Sequence, residues 1–158
     1  IDINQTDARI RTVSNFLSHY APESILVVSA RQYGQRPARK FAQSIGAKRI
    51  VGRFIPGTLT NPKLRTYTEP EVLVVTDPAA DSQALSEAVS TGLPIVGIVD
   101  ANNTLRNVDL ALPANNKGRR SLALIYWLLA REMLTSRGAT NYADWERAQD
   151  VEEWESTF

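Results

Sequence analysis

Short apolar runs alternate with segments of helical periodicity along most of this chain, and this alternation limits the possible fold more than any other feature. Three runs, at 24–29, 72–76 and 95–99, are almost entirely apolar and have the length of a strand. Such runs are typical of strands that are buried on both faces of a parallel sheet. We therefore predict an α/β fold, a Rossmann-like or flavodoxin-like three-layer sandwich with a mostly parallel sheet of about five strands.

The remaining elements follow from weaker patterns. Apolar runs at 49–52 and 108–112 complete the five strands, and helical spacing predicts helices over 4–20, 36–45, 81–90, 118–136 and 141–154. Pro37 fits the first turn of the second helix, and Gly46 fits its carboxyl cap. The residues expected to face the core are Leu85, Ala88 and Val89 in the helix over 81–90, and Leu122, Leu124, Ile125, Tyr126, Leu128, Leu129 and Met133 in the longest helix.

The segment from Phe54 to Tyr67 has no periodicity and reads as a long loop, a kind that is usually functional or disordered. The 158 residues fit one domain, which we place at 1–140, followed by an acidic C-terminal helix or tail at 141–158. Because the chain begins Ile1-Asp2-Ile3 without Met, we expect that a native N-terminal segment is missing. No apolar run approaches the roughly 20 residues of a membrane helix.

Catalytic chemistry has little support in the residue types. The chain has no Cys, which excludes disulfides and thiolate metal sites and suits a reducing compartment. The single histidine, His19, lies late in a predicted helix, where a partner for the helix dipole is the simpler interpretation. Neither GxGxxG nor GxxxxGK[ST] follows any strand. We predict no catalytic residues, no metal site and no cofactor.

Two aspartates test this prediction most directly. Asp77 and Asp100 follow predicted strands, at the edge where open α/β sheets bind ligands, and such carboxylates can hold Mg²⁺ or act as an acid/base pair. Both also lie in good turn and capping sequences, and we favour that structural interpretation. A phospho-acceptor receiver domain would need adjacent acidic residues after an early strand, whereas this chain has Ser29-Ala30-Arg31 there.

Charge is segregated along the chain, although the net charge is only +1. Residues 31–65 contain nine basic and no acidic residues, 66–105 contain six acidic and no basic residues, and 138–158 contain six acidic residues with Arg147 as the only cation. Such segregation creates a local electrostatic field that the average hides. Clustering in sequence need not become a surface patch, and this alternative stays open.

Three basic segments have the composition of phosphate sites. The first, from Arg31 to Arg36, combines two arginines, two amides, a tyrosine and a glycine before a predicted helix; the others are 53–65 and 115–120. Arginine forms bidentate bonds to phosphate, tyrosine stacks on unpaired bases, and helix N-termini attract anions. Each signal alone is weak, because solvated Arg and Lys are common at helix starts. The candidate RNA-binding residues are Arg31, Gln32, Tyr33, Gln35, Arg36, Arg39, Lys40, Arg53, Lys63, Arg65, Asn116, Lys117, Arg119 and Arg120.

The segment at 52–61, GRFIPGTLTN, resembles the GRF-PGT-TN motif of the ribosomal protein SA family, the laminin-receptor-like branch of a universal small-subunit protein. Further matching stretches follow in the family's order. They are Glu69-Pro70, Leu73–Pro78, Asp81, Leu93-Pro94, Leu105–Asp109, Pro113–Gly118, Leu128–Leu134 and Arg137-Gly138. The resemblance covers about residues 1–140, and its motifs are long and ordered.

The resemblance implies a Rossmann-like domain without catalytic activity, on the solvent side of the small subunit between head and body, in cytoplasmic ribosomes. Its expected partners are the ribosomal RNA of the small subunit and neighbouring ribosomal proteins, with no membrane contact. The short acidic tail points to the archaeal type, so the laminin binding of eukaryotic members is not carried over. The alternative is a stand-alone α/β domain that binds a nucleotide or phosphorylated ligand at the strand C-terminal ends; the absent glycine fingerprint disfavours it.

Overall fold

The computed structural model describes residues 3–65, 67–101 and 103–156, which contain five α-helices and five β-strands besides two short 3₁₀ helices, Pro22–Ser24 and Val151–Trp154. The α-helices and β-strands are α1 (Ile3–Leu17), β1 (Ile25–Ser29), α2 (Gln32–Ile45), β2 (Lys48–Val51), β3 (Val72–Val75), α3 (Ser82–Thr91), β4 (Ile95–Val99), β5 (Leu110–Pro113), α4 (Arg119–Ser136) and α5 (Tyr142–Ala148). The residues Ile1 and Asp2, on which the prediction of a missing N-terminal segment rests, lie outside the described residues. No described helix has the length and apolar character needed to cross a membrane.

The strands form one sheet in the order β2-β1-β3-β4-β5, and every neighbouring pair is parallel. This confirms the predicted α/β fold with a parallel sheet of about five strands. The order also fixes where a ligand crevice would lie. Because the chain moves from β1 to β2 on one side and then to β3 on the other, the topological switch point is between the carboxyl ends of β1 and β3.

The two faces of the sheet are covered differently. The helices α1, α2 and α4 pack on one face around Val27, Val74 and Val96. The other face is covered by α3 together with the loop that follows β2, whose Leu59 is buried against Leu26 and other strand residues. The predicted long loop therefore covers part of this face, as a helix would, since it supplies apolar side chains to the second core.

The start of α2 differs from the prediction, because the helix begins at Gln32 and Pro37 lies inside it. Gly34 permits this early start, since a Cβ there would lie 2.4 Å from the Ser29 hydroxyl at the end of β1. Pro37 has no N–H to donate to the Tyr33 carbonyl one turn earlier. The hydroxyl of Ser156 lies 3.2 Å from that carbonyl oxygen and donates to it instead. The segment from Arg31 to Arg36, predicted as a loop, is thus mostly helix.

The predicted helix over 141–154 divides into α5 and a short 3₁₀ turn, Val151–Trp154. Asn141 and Asp150 each cap one of these elements, which explains the interruption. Trp145 and Trp154 are buried, with ring centroids 5.8 Å apart, and Trp145 also packs on Trp127 of α4. These indoles belong to the same core cluster as the sheet. The domain boundary at residue 140 stays a prediction.

Two apolar side chains that were expected to face the core are exposed instead, Val89 in α3 and Leu124 in α4. The buried stripe of α3 runs through Ala84 and Ala88, which are one helical turn apart. Leu124 lies two positions after the buried Leu122, and a helix turns by about 200° over two residues. The other core positions predicted for the longest helix are buried or partly buried.

Candidate nucleic-acid interface

The gap between the carboxyl ends of β1 and β3 is closed by an ion pair of the chain itself. The Nε of Arg31 donates to the Asp77 carboxylate, whose side chain is fully buried while that of Arg31 is 36% exposed. Burial favours the neutral form of Asp77, but the hydrogen bonds from Arg31 and from the Ala79 N–H outweigh it and lower the pKa of this carboxyl. Asp77 is therefore a charged structural partner of Arg31, a pairing that the sequence did not predict, although its turn sequence favoured a structural role.

Asp81 ties the two strand ends together from the other side. Its Oδ1 accepts from the Ala30 N–H at 2.7 Å, and its Oδ2 accepts from the Thr76 and Asp77 N–H groups at 3.0 and 3.1 Å. Burial raises the pKa of Asp81 to about 6, despite these hydrogen bonds, and the nearby charge of Asp77 adds to the rise. One carboxylate thus accepts hydrogen bonds from three backbone N–H groups at the ends of the two strands.

Two asparagines fill the space beside this pair. The Nδ2 of Asn103 donates to Asp77 at 3.1 Å, and the Nδ2 of Asn116 lies 2.7 Å from the Asn103 amide oxygen and 2.9 Å from the carbonyl oxygen of Ile98. Asn116 is fully buried. This corrects its place among the candidate RNA-binding residues, because a buried side chain that bonds to its own sheet cannot reach RNA.

The candidate cations near the helix starts have partners within the chain. Lys117 pairs with Asp100 at 3.5 Å. Arg119 and Arg120 converge on one carboxylate, that of Glu155, at 3.9 and 3.8 Å. The Nε of Arg36 donates to the Glu153 carbonyl. The acidic C-terminal segment therefore lies over the N-terminal ends of α2 and α4, and not away from these cations.

Three candidates lie on the first turns of α2 beside this segment. Tyr33 is exposed (41%), so its ring is accessible to a base, and Gln32 is also exposed. Gln35 is half-buried. The carbonyls of Gln32 and Tyr33 lie 3.1 and 3.2 Å from the Ser156 hydroxyl. The side chains of this turn remain accessible, whereas its backbone is tied to the C-terminal segment.

The remaining candidate cations are of a different kind, because none of them forms an ion pair with a described carboxylate. All are exposed except Lys40, which is half-buried. We call these five residues the unpaired cations: Arg39, Lys40, Arg53, Lys63 and Arg65. They are spread over α2 and the loop after β2, so the sequence prediction of a positive surface from this part of the chain applies best to them.

The sequence prediction missed two cations and one acidic partner. Lys48 and Arg49 were counted in the basic segment but left out of the candidates, although two charged residues in a short strand indicate an exposed sheet edge. The pairing of Glu155 with Arg119 and Arg120 has no signal in the sequence. No cluster of acidic or histidine side chains suited to a metal ion occurs in the described residues.

Comparison with known proteins shows which family this chain belongs to. The model of the family described as Ribosomal protein S2 matches residues 63–136, from the loop after β2 to the end of α4. The small ribosomal subunit protein uS2 of Haloquadratum walsbyi is 56% identical over 139 residues, or 88% of this chain. The chain belongs to the ribosomal protein S2 family. It spans half the length of this S2 relative, since the match covers 50% of the relative's residues.

Membership of the S2 family confirms the resemblance to a universal small-subunit ribosomal protein that the sequence motifs indicated. The S2 relative of Haloquadratum walsbyi is archaeal. The motif residues Asp77, Asp81 and Asn116 lie in the closed gap between β1 and β3 and its polar network. In this chain, these motif residues thus bond to one another and to the strand ends.

Proposed function

We propose that this chain is a structural constituent of the small ribosomal subunit, which binds ribosomal RNA and neighbouring ribosomal proteins during assembly and translation in cytoplasmic ribosomes. The name of the Haloquadratum walsbyi relative supports the assignment to the small subunit. Because this chain spans half the length of that relative, the role and the partners of this chain are proposals. We also propose that it is of the archaeal type and is not an enzyme.

The observation that carries the RNA part of the proposal is the set of unpaired cations. Arg53 and Arg65 are exposed on the loop after β2, and neither forms an ion pair with a described carboxylate. Binding phosphates through such side chains releases counterions from RNA and costs no internal ion pair. Arg119 and Arg120, by contrast, share the Glu155 carboxylate, which competes with phosphate for them.

The same geometry supports the proposal that the chain is not an enzyme. The carboxylates at the strand ends are engaged within the chain, since Asp77 binds Arg31 and Asp100 pairs with Lys117. The alternative function, a nucleotide or phosphorylated ligand at the strand ends, is not favoured because side chains already fill the gap between β1 and β3. We expect no nucleotide or phosphoester turnover, and an activity that disappears in Asp77→Asn or Asp100→Asn would contradict this.

Assembly of small subunits tests the proposal. Subunits depleted of this protein are supplied with wild type, with the variant Arg53→Gln/Arg65→Gln, or with Arg9→Gln/Arg106→Gln as a control with the same charge loss. Arg9 and Arg106 are exposed and form no ion pair with a described carboxylate. We expect wild type and control to co-sediment with the subunits and the loop variant to incorporate less as salt is raised. Failure of wild type to incorporate would contradict the proposed function.

A further inference from the structure

A groove runs beside β2, the strand at one edge of the sheet. The cavity has a volume of about 810 Å³, and its wall includes Arg39 of α2, Lys48 and Arg49 of β2, and Tyr67 and Thr68 at the end of the following loop. The sequence prediction did not assign a function to Lys48 or Arg49. The groove lies away from the closed gap between β1 and β3, so it is a separate feature.

The backbone of β2 presents hydrogen-bonding groups to this groove. Gly52, just after the strand, donates its N–H to the Ser29 carbonyl of β1 at 2.8 Å. Successive residues of a parallel strand direct their backbone groups to alternate sides. Arg49 and Val51, an odd number of positions before Gly52, therefore direct their N–H and C=O groups away from β1 and towards the groove.

Side chains place positive charge on both sides of the same edge. Lys48 and Ile50 face the loop: the Nζ of Lys48 lies 3.5 Å from the Thr68 hydroxyl, and Ile50 packs with the core under that loop. Arg49 faces α2, as does Val51, which packs with the core on the α2 side. Cations therefore stand on both sides of the exposed backbone.

The charged side chains that line the groove are positive. Arg39, Lys48 and Arg49 form no ion pair with a described carboxylate. The acidic side chain nearest in sequence to the lining, Glu69, accepts a hydrogen bond from the Tyr67 hydroxyl at 2.5 Å. The outward N–H groups of β2 donate hydrogen bonds and its outward C=O groups accept them, so the backbone favours neither an anion nor a cation. The three cations therefore favour an anionic ligand.

We infer that the β2 groove binds the phosphodiester backbone of RNA, with Arg39, Lys48 and Arg49 contacting phosphate oxygens. This inference rests on the proposed function and adds to it a defined surface. An acidic peptide added as a further strand fits less well. β2 has four residues, and only Arg49 and Val51 offer outward main-chain groups to a new strand. Phosphates need only the cations and the two free N–H groups.

The test compares the full chain with two variants of equal charge, Lys48→Gln/Arg49→Gln and the control Arg9→Gln/Arg106→Gln. The probe is deproteinised small-subunit ribosomal RNA, and its dissociation constant is measured across a salt series. Each phosphate contact that is lost lowers the slope of log affinity against log salt by about one, so we expect a decrease of about two in the groove variant beyond that in the control. Hydroxyl-radical footprinting should show loss of RNA protection in the groove variant alone.

Each outcome separates the two claims. Equal slopes for the groove variant and the control, with wild type still bound, would overturn the groove assignment and leave the proposed function intact. Wild type that binds neither this RNA nor small subunits would overturn both. Binding of a polyglutamate peptide that is lost in the groove variant, with RNA affinity unchanged, would assign the groove to a protein partner and overturn the inference.

Discussion

The Nε of Arg31 donates to the carboxylate of Asp77 across the gap between the carboxyl ends of β1 and β3. In other doubly wound sheets this gap receives the ligand. Here Asp81 bridges the same strand ends through three backbone N–H groups. The carboxylates of Asp77 and Asp81 therefore take the place of an anionic ligand, and Arg31 is the cation that pairs with Asp77. The gap holds the fold together, and the RNA contacts that we propose lie on other surfaces.

Asp77→Asn should lower the free energy of unfolding by about 2 kcal/mol at neutral pH, because Arg31 loses a charged acceptor. The pKa of Asp77 lies below its ordinary value of 3.8 in the folded protein. Its stabilising contribution is therefore present above pH 3.8 and is lost as pH falls through the folded-state pKa. Urea unfolding at neutral and acidic pH measures this change, with the exposed pair partner Asp7→Asn as a control of small effect. A difference between wild type and Asp77→Asn that does not shrink in acid would refute the assignment.

Asp81 should have the opposite pH dependence. Its folded-state pKa of about 6 lies above the ordinary value of 3.8, so its contribution to stability is full below pH 3.8 and falls as pH rises through about 6. The advantage of wild type over Asp81→Asn should shrink by about 3 kcal/mol across this range. Denaturant unfolding of both proteins at intervals between these pH values measures it. Parallel curves would show that Asp81 titrates normally.

Trp154→Ala should destabilise the whole domain by about 3–5 kcal/mol, because its indole is fully buried in the main core cluster. Trp154→Phe keeps most of the apolar volume and should cost less. Thermal or urea unfolding followed by far-UV circular dichroism measures both. If residues 141–158 are instead a helix or tail outside the domain, as predicted from the sequence, the midpoint for Trp154→Ala will equal that of wild type.

Glu155→Gln should strengthen RNA binding by about two- to fivefold, since exposed ion pairs contribute only about 0.2–1 kcal/mol each and their loss frees Arg119 and Arg120 for phosphate. Glu152→Gln changes the net charge equally, and this exposed side chain forms no ion pair in the described residues. Equilibrium binding to small-subunit ribosomal RNA compares them. Equal gains in both variants would mean that overall charge, and not release of the two arginines, strengthens binding.

Most of the fold was predictable because its strands carry continuous apolar runs. The runs at 72–76 and 95–99 became β3 and β4 almost residue for residue. The start of α2 was not predictable from Pro37, whose preference for a first turn is only statistical. Contacts with distant residues moved it: Gly34 leaves room for Thr76 of the neighbouring strand end, and Ser156 donates to the carbonyl that Pro37 leaves without a donor.

The sequence by itself determined the layered α/β architecture and the segregation of nine cations into one stretch, because apolar periodicity and residue charge are local properties. Only the tertiary structure decided which cations face solvent without a partner. Arg31 and Arg119 pair with carboxylates from distant segments, Asp77 and Glu155, whereas Arg49 pairs with none among the described residues. The physical reason is that electrostatic pairing depends on distance and burial in the folded state, which the order of residues along the chain does not specify.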